Sequence, residues 1–377
     1  MRTTFRTAAI CLALGLLAAC GGQDANGGAS GRVGADVLEA ARDRVAAAKA
    51  APDGVGLDDA LSSRPEKGKT VAFLKCPVAT CATIAKGVEA ATEALGWEFK
   101  LVDFGATPEE QNAAFEKAIQ LEPDVIMQTS GSLDTLSNSL AKTKAAGIPV
   151  VEGSTSDVAT GMGPDGNGII AVLNGGAQLA DNGSMIADWV LVDSDGKNPE
   201  VAVFSIPAIT VLEHFGTGLE ESLKAICEGC RVTTVNAQVA DIGKSLPQTV
   251  VSHVQQNPGV KYVAFAFGGM STGVSAALRE AGMNDVRVIG ETPSEPNLAN
   301  LGHRTEHAWV GQDSTILGWR MVDAFARQVV GDDVAIAQGA LLNNQLLVTG
   351  EYEPTGRDYE GYPNYAAEFQ RLWRIAD

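Results

Sequence analysis

What most constrains this chain is an alternation of short apolar runs with amphipathic helical segments, completed once and then begun again. Residues 70–75 (TVAFLK) form the kind of apolar run a strand carries when both its faces are covered. The segment after it puts Ile84, Val88, Ala91 and Leu95 on one helical face. A strand is predicted near 98–104. The next helix opens at Thr107-Pro108-Glu109-Glu110, with threonine as cap, proline in the first turn and glutamate three residues past the cap. Residues 124–128 (DVIMQ) read as strand. Leu133, Leu136 and Leu140 mark a helix stopped by Gly147, and strands follow at 148–151 and 168–173. The cycle then restarts, with strands at 200–205, 231–239, 261–267 and 286–289 and helices at 211–226, 246–256 and 272–282. Repeated βα units give parallel sheets covered on both faces. The expected fold class is α/β, with two doubly wound parallel-sheet lobes. Ligands bind beyond the carboxyl ends of such strands, so two lobes with facing strand ends enclose a cleft. Gln128-Thr129-Ser130-Gly131 is such an end in the first array, and Phe267-Gly268-Gly269-Met270-Ser271 in the second.

The N-terminus reads as an export signal. Arg2 and Arg6 give a basic start, an apolar run covers 8–19, and Leu17-Ala18-Ala19-Cys20 closes it. The run is too short for a permanent spanning helix. Its last four residues resemble the bacterial lipobox, which implies a diacylglyceryl group on Cys20 and an extracytoplasmic, membrane-anchored protein; an ordinary secretory signal with an incidental cysteine is the alternative. Residues 21–67 are expected to be a flexible tether, rich in Gly, Ala, Ser, Asn and Asp at its start, with a possible short surface helix at 37–50. The formal net charge is −18, and −20 once Arg2 and Arg6 leave with the signal. Such acidity argues against nucleic acid and against adhesion to anionic lipid.

Of six cysteines, Cys76, Cys81, Cys227 and Cys230 remain after Cys11 and Cys20 are set aside. An even number in an oxidising compartment suggests two disulfides, and local pairing, Cys76 with Cys81 and Cys227 with Cys230, needs the least assumption. Zinc is the alternative for such pairs. A redox site is the alternative for Cys227-Glu228-Gly229-Cys230, although that motif belongs at a helix start and here it follows a helix.

Several enzyme signatures fail on context. Gly68-Lys69-Thr70 precedes a strand and lacks the first glycine of a phosphate loop. Gly161, Gly163 and Gly166 spell a dinucleotide fingerprint, but in a loop that enters a strand. His303 and His307 are four apart, yet His307 borders a predicted strand. Gly269-Met270-Ser271-Thr272-Gly273 fits a nucleophile elbow between strand and helix, with Glu291 and His303 or His307 following in hydrolase order. A serine hydrolase using Ser271 is therefore a rival reading. Against it, acid and histidine come soon after the serine, and no HGG-type oxyanion loop precedes it. No cofactor and no metal is expected.

Taken together, TVAFLK (70–75), AAGIPVVEG (145–153), NPGVKYVAFAF (257–267), ALREAGMNDVRVIGE (277–291) and VGQDSTILGWRMVDAF (310–325) resemble a type I periplasmic solute-binding protein of the ribose-binding kind over residues 68–350. The resemblance implies two lobes joined by three hinge crossings: 68–173 with 313–337, and 174–312 with 338–377. It implies a small-molecule ligand, an ABC permease with its ATPase as partner, a monomer and no catalysis; a sensory receptor of the same fold is the second reading. The aromatic places of sugar binders fall at Ala82, Thr83 and Ile242, and their Asp-Arg pair falls at Ser154-Thr155. An arginine place falls near Glu213, an asparagine place near Phe267 and an aspartate place near Glu291-Thr292. Gln312 keeps the glutamine. The ligand-binding candidates are Gln128, Glu152, Ser154, Thr155, Glu213, His214, Ile242, Phe267, Met270, Glu291 and Gln312. Lost aromatics and bidentate charges point away from a simple pentose or hexose, toward a partly apolar ligand with a few hydroxyls or a positive group. Phe267 and Met270 are equally open to a plain core role.

Overall fold

In a computed structural model the structure describes residues 31–376, apart from 156, 157 and 159. The signal, Cys20 and the start of the tether lie outside the described residues. Among those described, no helix is long and apolar enough to cross a membrane.

Helix α1 (Ala35–Ala48) comes first. The N-lobe then runs β1 (Thr70–Lys75), α2 (Ala79–Leu95), β2 (Glu98–Asp103), α3 (Pro108–Gln120), β3 (Val125–Thr129), α4 (Leu133–Ala145), β4 (Val150–Gly153) and β5 (Ile169–Leu173). The C-lobe runs α5 (Gly176–Asp193), β6 (Glu200–Ser205), α6 (Leu212–Ile226), β7 (Arg231–Asn236), α7 (Leu246–Gln256), β8 (Val260–Phe265), α8 (Val274–Glu280), β9 (Arg287–Glu291), α9 (Glu295–Gly302) and β10 (Ala308–Gly311). The chain ends with α10 (Ser314–Val330), α11 (Ala335–Gly339), β11 (Gln345–Val348) and α12 (Tyr365–Leu372). One sheet is ordered β2-β1-β3-β4-β5 and the other β11-β10-β9-β8-β6-β7. The pairings are parallel except β10 with β11.

The short apolar runs are explained by this layering. In β1, Val71 and Phe73 join one core with α2 and α10, while Ala72 and Leu74 join another with α3 and α4. Side chains alternate across a strand, so a sheet covered on both faces needs apolar residues at every position. The predicted cap of α3 forms: the Glu110 amide donates to Thr107 Oγ1 at 3.2 Å, and the Thr107 amide to Glu110 Oε2 at 3.0 Å. Helices α2 and α10 touch through Gly87 and Gly318, where a Cβ would lie 2.3 Å from Thr315 O and 2.5 Å from Ile84 O respectively. Only glycine permits that approach.

Two expectations about chain assignment need correcting. Residues 31–67 do not run free as a tether. Leu38, Ala41 and Val45 of α1 are buried against the C-lobe, and Arg44 makes a two-pronged bond to Asp188 at 2.7 and 2.6 Å. Val55, Leu57 and Leu61 then enter the N-lobe core. The cause is spacing: 38, 41 and 45 fall on one stripe of a helix, narrow but enough for one contact. Residues 338–377 likewise do not all join the C-lobe. Strand β11 does, but α12 returns to the N-lobe, where Trp373 stacks on Trp319 with centroids 5.2 Å apart.

Candidate functional site

Strands β3, β4, β5 and β9 end in the same unusual way. Ser130, Ser154, Asn174 and Thr292, each the next residue, have φ of 66°, 55°, 52° and 46°. Left-handed backbone at such residues costs on the order of 1–3 kcal/mol, most clearly at β-branched threonine. Ladder bonds hold it in place: the amides of Ser130, Ser154 and Thr292 donate to Gly153, Leu173 and Val310 carbonyls at 3.1, 2.9 and 2.9 Å. All four residues line one cavity between the lobes. Four of the nine non-glycine residues with positive φ among those described line this cavity, which marks it as the candidate site.

Much of the cavity wall is apolar. Val78, Cys81 and Ile84 come from the start of α2, with Leu179, Val211, Leu212 and Phe267 opposite. Cys76 and Cys81 are disulfide-bonded, and Thr129 Oγ1 donates to Cys81 Sγ at 3.2 Å. The bridge ties the end of β1 to the first turns of α2, so this wall is fixed at the cleft. Cys227 and Cys230 form the second disulfide, between α6 and β7. Both local pairings expected from the sequence are present, so these sulfurs are bonded to each other and not to zinc.

Glu291 and Gln312 supply the deepest polar groups. Glu291 is 2 % exposed; Asn182 Nδ2 donates to its Oε2 at 2.5 Å and Thr292 Oγ1 lies 3.4 Å away. Burial pushes its carboxyl up to about 8, against the lowering effect of those two bonds. Asn182 Oδ1 in turn accepts from Asn344 Nδ2 at 2.8 Å, and Gln178 Oε1 accepts from the Leu342 amide at 2.6 Å. Thus the acid at the cleft is wired to the crossing segment between α11 and β11. Gln312 Oε1 and Asn174 Oδ1 are buried without a partner.

Gln128 and Glu152 face each other across β3 and β4 and are fully buried beneath the cleft floor. Gln128 Nε2 donates to Glu152 Oε2, while Gln128 Oε1 and Glu152 Oε1 have no partner. Desolvation holds the Glu152 carboxyl well above its usual range.

Of the sequence candidates, Ser154, Phe267, Glu291 and Gln312 line the cavity. The others do not, and each has a reason. Gln128, Glu152 and Thr155 are buried below it. Glu213 and His214 lie in the first turn of α6, and Val211 and Leu212 face the cavity instead. Ile242 is half-buried against the C-lobe core, and Met270 is fully inside that core. The aromatic places at Ala82 and Thr83 lie next to Thr80 and Cys81, which line the wall. The candidates also lacked Ser130, which the sequence places in a strand end, Asn174 and Leu179. Polar residues just past an apolar strand were the signal available for the first two.

The hydrolase arrangement does not form. Ser271 is 2 % exposed, in a 3₁₀ turn over Gly268–Ser271. Its Oγ lies 3.1 Å from both Gly268 O and Glu306 Oε1 and accepts from Asn297 Nδ2 at 2.7 Å. His307 Nδ1 accepts from the Val288 amide at 3.1 Å, and burial pushes that imidazole down to about 4. His303 caps the end of α9. Neither histidine bonds to Ser271. Among the described residues no group of three His, Cys, Asp or Glu side chains is placed to hold a metal.

The sequence profile of the periplasmic binding protein domain matches residues 80–333. Among solved structures, an ABC sugar transporter subunit from Rhodobacter sphaeroides 2.4.1 is similar with a TM-score of 0.64 at 21% identity, over 75% of this chain and 99% of that one. A 5-methylthioribose transporter solute binding protein from Thermotoga lettingae TMO, in complex with 5-methylthioribose, gives 0.66 at 16% identity, over 83% and 100%. An ABC transporter solute binding protein from Mycobacterium smegmatis with bound glycerol gives 0.64 at 17%, over 78% and 100%. These likenesses show the fold. A search of curated protein sequences finds no match.

Proposed function

This chain belongs to the periplasmic binding protein domain family, and on that premise we propose that it captures a small molecule between its lobes and delivers it to an ABC-type importer. The observation that carries this reading is the convergence of four strained strand ends on one interlobe cavity. The proposed ligand is less polar than a simple sugar, because the wall is largely apolar and, among the described residues, holds no arginine, lysine or histidine. The fold accommodates such a ligand elsewhere: the Thermotoga lettingae protein holds a sugar with a methylthio group. No catalytic step is proposed, since Ser271 is committed to Asn297 and Glu306.

A thermal-shift screen of small metabolites on the full chain, followed by solution scattering of each hit, tests the proposal. A ligand of the folded state raises the melting temperature, and hinge closure lowers the radius of gyration. Phe267→Ala should weaken binding by about 1 kcal/mol or more through lost apolar contact. Tight binding of ribose, galactose or glucose, unaffected by Phe267→Ala, would overturn the pocket reading.

Delivery to a permease fits a membrane anchor, and Leu17-Ala18-Ala19-Cys20 is proposed to supply it. Cys20→Ala should abolish lipid labelling and leave the protein unprocessed or released from membranes on fractionation. Unchanged labelling of that variant would end the anchor proposal.

A further inference from the structure

Within the proposed capture site stands one carboxyl group with no counter-charge among the described residues. The described partners of Glu291 are the neutral Asn182 and Thr292, and no cationic side chain contributes to its surroundings. The wall beside it is formed by Val78, Ile84, Leu179, Leu212 and Phe267. Two buried polar atoms of that wall without a partner are acceptors too. Asn174 commits its Nδ2 to Ser154 Oγ at 2.8 Å, which leaves Oδ1, and Gln312 leaves Oε1.

A buried carboxylate without a counter-charge is unfavourable, and this one is accordingly held toward its neutral form. A polyol can bond to the polar groups of the wall, but it brings no charge to set against that of Glu291. An ammonium group donates, accepts nothing and carries the missing charge. We infer that the cleft selects a small molecule bearing a protonated amine on an otherwise apolar body, with the amine seated on Glu291 and the body against Phe267. This inference rests on the cleft being the capture site.

The test uses the full chain and a panel of primary alkyl- and arylalkylamines, phenethylamine and isoamylamine among them, each paired with the alcohol of the same skeleton. Calorimetry on the wild type should find the best amine bound about thirty-fold or more tightly than its alcohol, as expected for a buried charge pair. Glu291→Gln, which keeps size and an acceptor for Asn182, should erase that preference. The inference fails if no amine binds, if alcohols match amines on the wild type, or if the preference survives in Glu291→Gln. The wild-type comparison needs no variant, so a folding defect in Glu291→Gln does not shield the inference. Scattering separates the two levels. A neutral solute that closes the lobes while every amine fails leaves the receptor reading standing and removes the amine. An amine that binds through Glu291 without closure does the reverse.

Discussion

Replacing Asp323 with alanine is expected to destabilise the fold by about 3–5 kcal/mol, because it strands a buried guanidinium. Asp323 and Arg327 lie one turn apart on α10 and are essentially unexposed, with Arg327 Nε donating to Asp323 Oδ2 at 2.8 Å. The pair also anchors both ends of the chain. Arg327 donates to Asp59 O at 2.7 Å, and Trp373 Nε1 donates to Asp323 Oδ1 at 2.8 Å. Losing the carboxylate therefore unfastens the N-terminal segment and α12 from the N-lobe at once. Urea unfolding at neutral pH measures the effect. The double variant Asp323→Leu with Arg327→Met should recover most of the loss, since a buried ion pair often contributes little more than apolar residues of similar volume. A single-variant cost below about 1 kcal/mol would show that the pair does not hold the lobe together.

The second large effect is a loss of stability as pH rises. Glu291 sits near 8 when folded, against an ordinary value of 4.5. An acid raised by folding contributes stability that is fully present below its unfolded pKa and is lost as pH climbs through the folded one. The window is thus about pH 4.5 to 8, and a shift of that size corresponds to roughly 5 kcal/mol. Glu152, raised by burial as well, adds loss in the same direction. His307 is lowered to about 4 and acts oppositely, losing its contribution as pH falls. The comparison to make is therefore wild type against Glu291→Gln, without ligand. The melting temperature of the wild type should fall relative to the variant by on the order of 5–10 °C between pH 5 and 9. Parallel curves across that range would mean that Glu291 keeps an ordinary pKa in the fold.

The sequence candidates that line the cavity share one property. Glu291, Phe267, Gln312 and Ser154 all stand at or just past the carboxyl end of a strand, where topology alone directs a residue toward the cleft. Residues within an element fared differently. Whether Glu152 faces floor or cleft depends on the parity of the strand, and a shift of one residue reverses it. Glu213 and His214 were nearer than they proved because each step along a helix turns the side chain by about 100°. An error of two residues in the phase of α6 exchanges them for Val211 and Leu212.

Local chemistry in the sequence determined the alternation of strands and helices, the cap of α3, the two local disulfides and the restart of the pattern that makes two lobes. Each depends on residues close together in the chain, where propensity, periodicity and short-range bonding act. Only the tertiary structure decided which lobe holds α1 and α12, because their thin apolar stripes fit any surface that offers a matching groove. It alone decided that Glu291 would be buried beside neutral partners, with no cation among its described neighbours. Solvation of a carboxyl group depends on everything folded around it, and no neighbour in the sequence records that.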